Sequence, residues 1–121
     1  MKLNGIMIGT ENSKKLADFY TKVLGEPVWQ QGEWFGYSNG ASSSLMIGPH
    51  SEVKGKSQEP ARIIIGFETK DVKKEFTRIK ALGAQIIAEP YQPSKDKADI
   101  WLATFADIDG NYLQLTTPWK K

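Results

Sequence analysis

The sequence predicts an α+β fold built from two tandem βαβββ modules, and two observations carry that expectation. The first is an internal repeat. Residues 5–25 (GIMIGTENSKKLADFYTKVLG) and 64–83 (IIGFETKDVKKEFTRIKALG) begin 59 positions apart, about half of a chain of 121 residues. Each copy runs from an alternating apolar stretch, through a polar capping residue, into a helical pattern that ends in Leu-Gly. The second observation is that each helix is followed by short runs of period two, separated by turn formers such as QQGE, SNGASS and DIDGN.

Taken in order, Ile6 and Ile8 alternate with Gly5 and Met7 in a first strand. In the first helix Leu16, Phe19, Tyr20, Val23 and Leu24 form one apolar stripe, Asn12 or Ser13 can cap its start, and Gly25 suits the residue after its end. Strands follow at residues 26–30 and 34–38, and in the next one Leu45 and Ile47 alternate with Ser44, Met46 and Gly48. The polar stretch 49–61 (PHSEVKGKSQEPA) connects the halves. In ARIIIGFE, Ile63, Ile65 and Phe67 alternate with Arg62, Ile64, Gly66 and Glu68. The second helix shows the stripe Val72, Phe76, Ile79 and Leu82, with Asp71 as cap, Glu75 near its positive end and Gly83 as terminator. Strands at 84–89 and 99–106 precede a last one, in which Leu113 and Leu115 alternate with Tyr112, Gln114 and Thr116. The uniformly apolar sets belong against the helices, and the mixed sets share the opposite face. Module one then spans about residues 1–50, the linker about 51–60 and module two about 61–121. All 121 residues form one domain, because a half of about 60 residues buries little surface alone.

Composition narrows the function. Sixteen basic and fourteen acidic residues give a net charge of +2, and the lysines are dispersed, so no nucleic-acid partner is expected. Without cysteine there are neither disulfides nor thiolate metal sites. No apolar run approaches the ~20 residues that span a bilayer, and no signal-peptide layout opens the chain. A soluble, cytoplasmic protein with no membrane partner is the expectation.

The first strand, its cap, LADFYTKVLG and then FADIDGNYLQL resemble the vicinal oxygen chelate superfamily, which includes glyoxalase I, extradiol dioxygenases, fosfomycin resistance enzymes and bleomycin resistance proteins. The resemblance covers nearly the whole chain. It implies curved mixed sheets around a central cleft between the modules, with metal-binding His or Glu on the inward strand faces. Position by position, those ligands fall on Gly5, Met46, Ile64 and Gln114. A glycine, a thioether, an alkyl group and a neutral amide do not make the three or four imidazole or carboxylate donors that a Zn, Ni, Mn or Fe site needs. The resemblance therefore implies a protein with no metal, no cofactor and no catalytic residue assigned, which holds a small organic ligand in the cleft. The alternative is a metal-dependent lyase, isomerase or dioxygenase with a displaced site that recruits Glu68, His50 or Glu11.

The expected ligand-binding set is Met7, Trp34, Tyr37, Met46, Arg62, Ile64, Trp101, Tyr112 and Gln114. Aromatic and apolar walls with a few polar groups are typical of small-molecule sites. Two readings stand for several of these residues. Arg62 either anchors a carboxylate or phosphonate through a forked hydrogen bond or makes a surface ion pair. The aromatic residues either touch ligand or fill the core or a dimer interface. His50, the single histidine, lies in a polar segment without a nucleophile motif and reads as a solvent-facing loop residue. Trp119, after Pro118, either packs within its own chain or crosses onto a neighbouring subunit, and a homodimer is expected.

Overall fold

In both halves of the chain the first and last strands run side by side in parallel, which requires a long crossover, and the helix supplies it. The computed structural model describes residues 1–38, 43–96 and 99–118. Most of the SNGASS turn and Trp119 lie outside the described residues, so neither the turn nor the tail is placed. The described chain divides into two compact units, Met1–Lys56 and Ser57–Lys121, and the division falls inside the polar connection. Among the described residues no helix is long and apolar enough to cross a membrane.

The first unit contains β1 (Gly5–Thr10), α1 (Ser13–Leu24), β2 (Trp29–Gln31), β3 (Trp34–Tyr37) and β4 (Ser44–Pro49). They form an open sheet of order β1-β4-β3-β2 in which only the β1–β4 pair is parallel. Asn12 is the cap of α1: its side chain accepts a hydrogen bond from the Lys15 N–H at 3.2 Å. Gly25, at φ 99°, ends the helix in a conformation that side chains avoid. Leu16, Ala17, Tyr20 and Val23 are buried against the sheet face that carries Ile8, Leu45 and Ile47. Phe19 is only half-buried and meets Tyr20 edge-on, with ring centres 5.3 Å apart. The strand expected at 26–30 starts later, at Trp29. Gly25 and Pro27 hold the entry out of the sheet, and pairing begins with the Val28 N–H on the Gly36 carbonyl at 2.9 Å.

The second unit opens with a 3-10 turn (Pro60–Arg62) and continues through β5 (Ile64–Glu68), α2 (Val72–Ala81), β6 (Gln85–Tyr91), β7 (Leu102–Ala106) and β8 (Tyr112–Thr116). Sheet order is β5-β8-β7-β6, again with one parallel pair, β5–β8. The Asp71 side chain caps α2 by accepting from the Lys74 N–H at 3.0 Å. Val72, Phe76 and Ile79 are buried, and the Phe76 ring stacks on Phe105 at 5.1 Å. Leu82, expected on this stripe, is exposed where the helix ends. Ile63 and Arg62 also differ from expectation. Pro60 starts a helical turn, so neither residue belongs to β5. β7 begins at Leu102, because the chain before it is held by a side-chain exchange in which the Trp101 N–H donates to Thr117 Oγ1 at 2.9 Å. The DIDGN turn is organised by Asp107, 4% exposed, whose carboxylate accepts from the backbone N–H groups of Asp109 and Asn111 and from the Asn111 amide.

Tyr37 ties β3 to α1. Its hydroxyl donates to the Ala17 carbonyl at 2.8 Å and shares a hydrogen bond with Thr21 Oγ1 at 2.9 Å. Burial pushes its pKa above the ordinary 10.0; the Thr21 hydrogen bond opposes this, and the nearby Asp18 and Glu26 carboxylates add to it. A folded-state pKa above the unfolded value means stability that is complete below about pH 10 and lost as pH rises through the folded pKa. Tyr37→Phe should therefore cost about 1 kcal/mol at neutral pH through the lost hydrogen bonds. That difference should shrink above about pH 10, where only the wild type must bury or ionise a phenol. Urea unfolding at both pH values checks this, and a difference that grows with pH would contradict it.

Candidate functional site

Each sheet has a helix on one face only, and the other face carries the residues that alternation leaves over. In the first unit the strand register lines up Met7, Met46, Gly36 and Trp29 as one row across the sheet. Trp34 and Gln31 pair on this face, and the Trp34 ring fills the space where a side chain of Gly48 would stand. Trp29 leans on Gly36 in the same way: a Cβ there would lie 3.3 Å from its ring. Two glycines thus let two indoles lie down on the sheet. Met7 and Trp29 are 45% and 44% exposed, and none of these side chains carries charge.

In the second unit the corresponding row is Gly66, Gln114, Thr104 and Ala88, flanked by Ile64 with Tyr112 and by Glu68 with Thr116. Gln114 reaches Thr104 Oγ1 through Nε2 at 3.5 Å, the long limit of a hydrogen bond. Beside it, nothing stands within 4 Å of where a side chain of Gly66 would begin. The carboxamide therefore keeps most of its donor and acceptor capacity next to open space.

Of the residues expected to bind ligand, Met7, Trp34 and Met46 are brought together on one helix-free face, and Ile64, Tyr112 and Gln114 on the other. Tyr37 and Trp101 are placed elsewhere. Tyr37 pairs with Leu45 on the helix side and is 3% exposed, and the Trp101 ring sits under the Lys73 ammonium of α2 at 3.9 Å. Arg62 is exposed and its guanidinium is held by Glu59, with Nη2 to Oε2 at 2.7 Å. With Glu59, Pro60, Ala61 and Tyr112 it lines a shallow depression of about 440 Å³. Trp29, Gly66 and Thr104 were not expected at a site. The signal for Trp29 was present in its pairing distance from Gly36 across the QQGE turn, whereas Thr104 is identified only through its register with Gln114.

The four positions onto which the resemblance carries a metal ligand, Gly5, Met46, Ile64 and Gln114, do not fit an ion. At Gly5 even a methyl group would run into the Ser44 carbonyl oxygen across the β1–β4 pair, so an imidazole has no room. Met46, Ile64 and Gln114 bring no charge. Among the described residues no three His, Asp or Glu side chains gather in a cluster able to hold a metal. Of the displaced candidates, Glu11 accepts from the Gly55 N–H, and His50 is exposed with Nδ1 accepting from the Glu52 N–H at 3.2 Å.

Residues 2–115 match the model of the Glyoxalase/Bleomycin resistance protein/Dioxygenase superfamily. The chain belongs to that superfamily. Its two βαβββ units are the repeat of the glyoxalase fold. Among superfamily relatives, the uncharacterized protein YetH of Bacillus subtilis (strain 168) is 26% identical over 123 residues, covering 94% of this chain and 96% of its own. TnmS3, an antibiotic binding protein from Streptomyces sp. CB03234, superposes with a TM-score of 0.74 at 21% identity, covering 98% of this chain and 97% of its own. A glyoxalase-related enzyme from Fulvimarina pelagi superposes at 0.76 with 18% identity, covering 98% of this chain and 88% of its own. At such identities the superpositions speak for the glyoxalase fold alone.

Because the Trp34 ring occupies the site of a missing side chain, Gly48→Ala should dislodge it and cost about 1–3 kcal/mol, as overpacking does. The tryptophan emission should shift to the red. Unchanged melting and emission would show that the ring does not rest on Gly48.

Proposed function

We propose that this member of the glyoxalase superfamily is a metal-free small-molecule-binding protein, which takes a planar, largely uncharged organic ligand on the helix-free sheet face of its first unit. The observation that carries this reading is the pair of indoles laid on Gly36 and Gly48 beside Met7 and Met46. Aromatic rings held flat offer stacking area at little conformational cost, and thioethers adapt to the outline of a ligand. On the second unit's own helix-free face, the Gln114 carboxamide has capacity to spare beside Gly66 for a neutral polar group. Likeness to an antibiotic binding protein supports the same reading. A net charge of +2 argues against the cationic drugs that strongly acidic relatives sequester. Exposed Leu3, Ile6, Ile63 and Ile64 support the further reading that the protein works as a homodimer.

The test is a thermal-shift and fluorescence screen of planar aromatic metabolites and antibiotics. A ligand at a hundred times its Kd should stabilise the fold by about 2.7 kcal/mol and quench tryptophan emission. Trp29→Ala should remove most of the quenching and weaken binding about tenfold, the worth of a lost stacking contact. Binding that this substitution leaves unchanged would place the ligand elsewhere and end this reading.

A further inference from the structure

Glycine weakens a strand, and it persists there where the backbone must bend or where something comes too close for a side chain. Five glycines stand in the described strands, at 5, 9, 36, 48 and 66, and none of them has a positive φ. Four are explained by close neighbours. A side chain on Gly5 would meet the Ser44 carbonyl, one on Gly9 would meet His50 at 2.9 Å, and Gly36 and Gly48 lie under the rings of Trp29 and Trp34. Gly66 is different. Nothing stands within 4 Å of where its side chain would begin, it is exposed, and the register of β5 on β8 runs unbroken through it, so neither packing nor a bulge accounts for it.

On the first unit's helix-free face, bare strand positions serve to seat flat rings. Gly66 is a seat of the same kind on the second unit, and no ring of the described chain lies on it. Its register partner is Gln114. Paired strands lie about 4.8 Å apart, so the Gln114 carboxamide stands at the edge of any ring laid on Gly66. That amide spends one N–H on Thr104 Oγ1 at 3.5 Å, and its carbonyl oxygen and second N–H have no partner among the described residues. A donor and an acceptor side by side match a ring that carries an acceptor and a donor on adjacent atoms. Glu68, two residues along β5 on the same face, is exposed, and its negative charge disfavours an anionic ligand.

We propose that Gly66 and Gln114 form a site for a flat, uncharged heterocycle with a lactam or imide edge. The ring lies on the bare Gly66 backbone, its N–H donates to Gln114 Oε1, and its carbonyl accepts from Gln114 Nε2. The site belongs to the second unit; it goes beyond the reading of the tryptophan face and does not depend on it.

The experiment is an NMR titration of the whole protein with uracil, with 1,3-dimethyluracil, which keeps the ring and both carbonyls but has no N–H, as control. Saturable shifts of the Gly66 amide and the Gln114 side-chain amide are expected, with dimethyluracil binding about tenfold more weakly. Gly66→Ala and Gly66→Val should melt at or above the wild-type temperature, because the new side chain enters open space and a strand glycine is lost. Gly66→Val should nevertheless weaken uracil about tenfold or more by filling the seat. Gln114→Leu should weaken it about tenfold. Trp29→Ala should leave uracil binding unchanged, which separates failure of this site from failure of the tryptophan face. Absence of saturable shifts, equal binding of dimethyluracil, or undiminished uracil binding by Gly66→Val would each overturn the proposal. So would a Gly66→Ala protein that melts below the wild type, since packing would then require the glycine, or a Gly66→Val protein of altered oligomeric state, since a second copy of the chain would then cover the position.

Discussion

The parallel pairing of first and last strands, β1 with β4 and β5 with β8, is the constraint on which the rest of each unit depends. It can be satisfied only if the chain crosses over between the two strands, and the amphipathic helix that makes the crossing covers one sheet face with Leu16, Tyr20 and Val23 or with Val72, Phe76 and Ile79. Everything that alternation leaves over then lands on the other face. The same register also places residue 5 against residue 44 and residue 66 against residue 114. What those positions hold decides what chemistry the face can perform.

Of these positions, 5 and 114 are ones onto which the resemblance carries a metal-binding imidazole or carboxylate. Here the close approach of β1 to the Ser44 carbonyl leaves Gly5 no space for a side chain, and glycines at 36 and 48 are used to seat indole rings. A face built this way is good at dispersion and poor at holding charge. Gln114 fits the pattern. A carboxylate there would stand beside Thr104 and Gly66 without a counter-charge, whereas an amide can rest on the Thr104 hydroxyl and still offer a hydrogen bond. Charge in the first unit collects on the helix flank instead, where Asp18, Glu26 and Glu33 meet water.

The repeat, the cap at Asp71, the narrowing of the other cap to Asn12 or Ser13, and the helix-facing sets Leu45/Ile47 and Leu113/Leu115 were legible in the sequence, because each rests on local spacing that burial and capping enforce. Sidedness at strand ends was harder. Trp34 and Tyr37 stand three apart on one strand and cannot share a face; strict alternation would have sent Tyr37 to the helix, where its hydroxyl has its partners. Trp101 lies just before β7, where no alternation rule applies, and its position is set by Lys73 and Thr117, which are distant in sequence. Arg62 left the expected strand because Pro60 favours a helical turn, and β2 began late for a related reason at Pro27.

Metal content is the most direct measure of whether the helix-free faces lack converging donors. Protein purified without a histidine tag, loaded with Ni or Zn, passed through a desalting column and weighed by native mass spectrometry should carry no stoichiometric ion. One transition-metal ion per chain, seated by protein atoms of a helix-free face in a crystal of the loaded protein, would contradict the account.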